Sequence, residues 1–173
     1  MLLQHPASED CAFYAVANLL RLYGSDVDRD DIAELAGQSS DMDHKTLLDI
    51  VNGQVGRRLL RWARLRSFSY DGLSAALDPS FNRNAPSILT FHIRHYAKNW
   101  YGLHCVVATH RDAAGIHVLD SLGLRGGKAP NAVIAPQRRA KGWPVVGTPA
   151  IILPQSAFIM ENLPALPDIW VPP

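Results

Sequence analysis

The sequence predicts an α+β fold in which a helical first third packs on a mostly antiparallel sheet. Three observations carry this. The run from Ala12 to Tyr23 is apolar on nearly every side, Asn18 and Arg21 excepted, as expected of a helix buried inside a domain. Two further helical patterns follow before residue 56. Beyond it the chain changes to short β-rich runs separated by turn residues. Helices first and strands after argue against an alternating chain with a parallel sheet. We expect one domain over 1–173, mainly helical over 1–56, mainly sheet over 57–163, with a proline-rich tail over 164–173. A chain of 173 residues is long enough for a substantial core.

Taken in order, Asp10 is placed to cap the first helix, with Cys11 in its first turn and Gly24 ending it. In VDRDDIAELAG, Asp28 caps, Asp31 completes a capping-box analogue, and Gly37 stops the helix. HKTLLDIVNG predicts a third helix ending at Gly53. Leu59 to Arg66 reads as a strand, and Tyr70 to Leu77 as a helix ended by Asp78-Pro79. Ser87 to Ile93, Leu103 to His110 and Ile116 to Asp120 read as strands, the last two joined through RDAAG. Gly123 to Asn131 reads as a loop. Val145 to Leu153 and Ala157 to Met160 are the remaining apolar candidates.

Composition narrows the function. Net charge is +1, from 17 Lys and Arg against 16 Asp and Glu, so no electrostatic footprint points to nucleic acid. MLLQHPASED lacks the basic and apolar regions of a signal peptide, and no apolar run approaches a membrane span. Two cysteines are too few for a disulfide scaffold. The expectation is a cytoplasmic protein, with signal-independent secretion compatible. No cofactor is expected, and the histidines and cysteines lack metal-ligand spacing.

The chemistry centres on Cys11. A lone cysteine usually packs as a small hydrophobe. At a helix N-terminus, however, the macrodipole and the unsatisfied N–H groups favour a thiolate. A neighbouring imidazole would add to this and shuttle protons. Strand alternation selects His104 from seven histidines. In LHCVVATH, His104, Val106, Ala108 and His110 share a face; in IHVLD, Ile116, Val118 and Asp120 do. If His110 pairs with Ile116, Val106 faces Asp120, and Asp120 lies one diagonal step from His104. A pairing shifted by one residue would send Asp120 to the other face. The set is then Cys11 as nucleophile, His104 as base and acid, Asp120 as the group orienting the imidazole, and Gln4 with the Cys11 N–H as oxyanion donors. The site is expected between the helix and the sheet. Cys105 points away from His104 and is expected to pack. The arginines at 57, 58, 61, 64 and 66 read as a solvated face, with a substrate groove as the alternative. Leu124-Arg125-Gly126-Gly127 reads as a glycine-rich turn.

These residues resemble a family. Gln4, Asp10-Cys11, the helix ending Leu22-Tyr23-Gly24, then Gly102-Leu103-His104-Cys105-Val106-Val107 and Ile116-His117-Val118-Leu119-Asp120, look like papain-like cysteine peptidases. The closest resemblance is to the bacteriocin-processing, double-glycine leader peptidase type, over Gln4 to Gly123. It implies a papain-like fold and the carry-over of the Gln, Cys, His and Asp roles to Gln4, Cys11, His104 and Asp120. Its substrate would be a peptide or protein, and an exporter or secretion partner is compatible with it. Three positions depart from the pattern: Ala12 stands where Gly is usual, Ser121 where Pro is usual, and no transporter segment follows. Val118 to Leu122 is also similar to the corresponding strand of Josephin-type deubiquitinases. The same residue order serves acyltransferases and transglutaminase-like enzymes. A non-cleaving leader-binding domain is a third alternative. Oligomeric state is left open.

Overall fold

A computed structural model describes residues 10–37, 43–56, 60–96, 99–121, 131–139 and 141–167. The apolar run forms α1 (Cys11–Leu22), buried through Phe13, Ala15 to Leu20. Asp10 does not cap it with its side chain. That carboxylate instead lies 2.8 Å from a terminal guanidinium nitrogen of Arg29 and 3.1 Å from its Nε. A charge-assisted, two-point contact outcompetes a neutral amide cap. It ties the start of α1 to the start of α2 (Arg29–Leu35). Asp28 caps α2, and Asp31 returns the bond to the Asp28 backbone, completing the predicted capping box. The third helix, α3 (His44–Val55), runs past Gly53 and ends at Gly56, which takes the left-handed conformation at φ 65°. Gly53 is tolerated inside the helix because burial of Leu47 and Val51 offsets its propensity cost of about 1 kcal/mol.

β1 (Arg61–Leu65) follows, then α4 (Tyr70–Phe81). Pro79 does not end α4. It removes one donor, but Asn82 N–H still bonds the Asp78 carbonyl at 2.9 Å. Arg111 also holds Asp78 in an ion pair at 2.9 Å, and Leu73 and Leu77 anchor the helix in the core. Tertiary contacts here override a local stop signal.

The remaining strands are β2 (Ser87–His95), β3 (Trp100–Arg111), β4 (Ile116–Leu119), β5 (Asn131–Ile134), β6 (Trp143–Val146), β7 (Ala150–Ile152) and β8 (Ala157–Glu161). Every pairing among them is antiparallel. The sheet closes on itself: β2 pairs β3 along one edge and β7 along part of the other, so β2 to β7 form a six-stranded barrel. The other half of that edge pairs β8, which carries β1. A nine-residue strand is long enough to serve three partners. The sequence predicted neither the closure nor β5. It also read Val145 to Leu153 as one run, which is two strands joined by a turn containing Gly147 at φ 95°.

The barrel separates two cores. One, between α1–α3 and the outside of the sheet, contains Leu19, Leu20, Val51, Cys105 and Val107. The other fills the barrel with Leu89, Phe91, Val106, Ala108, Ile116, Val118 and Ile159 and extends to Phe68, Leu73 and Leu77. Alternating residues of β3 therefore serve different cores. Among the described residues no helix is long and apolar enough to cross a membrane.

Candidate functional site

Cys11 is the first residue of α1 and half-buried. His104 and Asp120 are both buried to 1% exposure. His104 Nε2 lies 2.8 Å from Asp120 Oδ1. With Nε2 so engaged, the other ring nitrogen, Nδ1, is buried and has no partner of ordinary hydrogen-bond geometry among the described residues. Cys11 nonetheless acts on the ring through its side chain and charge.

The electrostatics of His104 follow from this. Burial opposes its positive charge. The charge of Asp120, its hydrogen bond, and the interaction with Cys11 outweigh burial and hold the imidazole's pKa up at about 10. A buried imidazole facing a buried carboxylate keeps its proton at neutral pH. Cys105 behaves oppositely. Burial first, then the charges of Cys11 and Asp120, push its thiol well above the ordinary value, so it stays protonated. It packs in the core beneath α1, as its strand position predicted.

The β3–β4 register departs from the expected one at the turn and coincides with it at the site end. His110 pairs with His117 and Arg111 with Ile116, not His110 with Ile116. The register then shifts between Ala108 and His110, and beyond it Ala108 pairs with Val118 and Val107 with Leu119. Continuing that pairing sets Val106 opposite Asp120, so His104 and Asp120 share a face. That face is the one lining the barrel. Cys11 stands at the start of α1, whose flank packs on the opposite face of β3 at Cys105 and Val107.

Aromatic neighbours of the imidazole escaped sequence reasoning. Phe91, which pairs with His104 across β2 and β3, presents its ring edge-on at 6.3 Å. Trp100 does the same at 6.2 Å. Trp100, Gly102 and His104 alternate along β3, and this spacing is the signal that could have revealed the pair. Gly102 leaves the room: a Cβ there would stand 3.0 Å from Trp100 Cζ2. We expect Gly102→Ala to displace Trp100 and cost about 1–3 kcal/mol as an overpacked contact. Thermal unfolding checks this, and adding Trp100→Phe should recover part of the loss.

Gln4 lies outside the described residues, as do Arg57, Arg58 and the Leu124 to Gly127 segment. Arg61, Arg64 and Arg66 are exposed. Arg61 pairs with Glu161 at 2.6 Å, and Arg64 stacks over Phe158.

No family model matches the chain, and no curated relative matches it. Among solved structures it is similar to a "putative C39-like peptidase" from Bacillus anthracis. The identity is 10% and the TM-score 0.45, over 94% of this chain and 95% of that one. A likeness of that size leaves the reading of the site to its own geometry.

Proposed function

We propose that this chain is a papain-like thiol hydrolase that cleaves a peptide or isopeptide bond through an acyl-enzyme on Cys11. The observation that carries the reading is a buried imidazole held at Nε2 by the buried Asp120 carboxylate and raised in pKa also by Cys11, the first residue of a helix.

The amide end of α1 and a protonated His104 together stabilise a thiolate. The thiolate attacks the scissile carbonyl carbon, and the carbonyl π-electrons move to oxygen. The Cys11 backbone N–H, in the first turn of α1 where the helix offers no acceptor of its own, would donate to that oxyanion. Gln4 is the second donor that the family resemblance implies. Collapse of the intermediate breaks the C–N bond as His104 gives its Nδ1 proton to the leaving amine. Neutral His104 then takes a proton from water, hydroxide attacks the thioester, and release of the acid regenerates the thiolate and imidazolium. Asp120 keeps the ring's Nε2 engaged throughout, so that Nδ1 does the proton transfer. A leader peptide is the substrate class the resemblance suggests. With an amine in place of water, the same intermediate performs acyl transfer.

The test is iodoacetamide labelling of Cys11 as a function of pH. The wild type should label well below the pH at which a free thiol ionises, and His104→Ala should abolish that acidic shoulder. An ordinary thiol titration, unchanged in His104→Ala, would sink the proposal. Product analysis with an added amine separates hydrolysis from transfer.

A further inference from the structure

We infer that the bulge at Thr109 is the register-setting device of the site: it absorbs one surplus residue of β3 so that Asp120 falls on the face of His104. The inference rests on the Cys11–His104–Asp120 reading and explains how the chain assembles two thirds of it.

The two ends of the β3–β4 hairpin are anchored independently. At the turn end Arg111 pairs with Ile116. Arg111 is held to α4 through Ser74 and Asp78, and Ile116 is buried in the barrel core. Asp112 receives the amides of Ala114 and Gly115, which fixes the short connection. At the site end Val107 pairs with Leu119 and Ala108 with Val118, with Val106, Ala108 and Val118 in the barrel and Val107 and Leu119 under α1. These anchors are out of step. Continued straight from Arg111–Ile116, the ladder would set Val107 opposite Asp120. The carboxylate would then point to the α1 side while His104 points into the barrel. Thr109 takes up the difference. It is the extra residue between the Ala108–Val118 and His110–His117 pairs. It is buried, and its hydroxyl bonds the His117 carbonyl at 3.4 Å and lies 3.0 Å from His110 Nδ1. Both contacts cross or flank the shift itself.

The inference makes two parity predictions. Deleting Thr109 removes the surplus residue, and the ladder then runs straight with both anchor pairs intact and each on its own face. Inserting one alanine between Leu119 and Asp120 leaves the bulge and both anchor pairs in place and moves Asp120 one position on, to the face opposite His104.

The experiment measures the pH profile of Cys11 alkylation by iodoacetamide in the wild type, these two variants and Asp120→Asn, with near-ultraviolet circular dichroism as the check of folding. The Thr109 deletion should keep the wild-type profile, with rates within about threefold. The alanine insertion should match Asp120→Asn. A folded Thr109 deletion with the Asp120→Asn profile would overturn the inference, as would its failure to fold, because the ladder is expected to close without it. Retention of the wild-type profile in the alanine insertion would overturn it equally. A wild type whose profile does not respond to Asp120→Asn defeats the underlying site reading instead, so the two failures are distinguishable.

Discussion

Replacing Cys11 with Ser should abolish turnover, with kcat/KM on an activated ester or peptide falling about 10⁴-fold or more. The size follows from chemistry rather than from packing. A serine hydroxyl is a far weaker acid than a thiol, so the site cannot hold it as an anion. The change is nearly isosteric, and Cys11 is half-buried at a helix start, so the fold should survive. Cys105→Ser supplies the contrast. Cys105 is buried under α1 on the other face of β3, and its thiol is held protonated. Its replacement should cost stability, as a hydroxyl is placed in an apolar core, while kcat/KM of the folded fraction stays within a few-fold. Burst kinetics and mass spectrometry separate the variants: the thioester adduct should form on Cys105→Ser and be absent from Cys11→Ser. Equal losses in both would mean that Cys11 is not the nucleophile.

Much of this site was legible because the relevant signals are local. A helix apolar on all sides announces its own burial, and the Asp28–Asp31 capping box is written within four residues. Strand alternation assigned His104 and Asp120 to one face and Cys105 to the other without any three-dimensional information. What escaped depends on competition between distant parts of the chain. Asp10 looks like a cap until Arg29, nineteen residues on, claims its carboxylate. Pro79 looks like a stop until Arg111 and the buried leucines hold the helix through it. Barrel closure needs β7 to find the second half of β2, a partner more than fifty residues away. The bulge leaves no mark at all, because a single threonine in a β-rich run reads like any other strand residue. Pairing His110 with Ile116 is therefore one residue out of register at the turn, and the shift at Thr109 brings Ala108 opposite Val118, as alternation alone predicts.

Asp120→Asn should separate the orienting role from the electrostatic one. Asparagine keeps the shape and can still bond Nε2, but the charge that outweighs the burial of His104 is gone. The imidazole should then lose its proton far below the wild-type value of about 10. Activity should fall on the order of 10³-fold, and the alkaline limb of the pH–rate profile should move down. Stability carries the same signature. A folded-state pKa raised above the unfolded value of about 6.5 contributes stability that is fully present below pH 6.5 and lost as pH rises through about 10. In Asp120→Asn the sign reverses, since burial alone favours the neutral ring and protonation at low pH opposes folding. The deficit of the variant relative to wild type should therefore be largest near pH 6, where breaking a buried ion pair commonly costs about 3–5 kcal/mol. It should shrink steadily toward pH 10. Urea unfolding of both proteins at pH 6, 8 and 10 reads this directly. A deficit independent of pH would mean that Asp120 supports the hairpin without charging His104, and the ion-pair basis of the mechanism would fall with it.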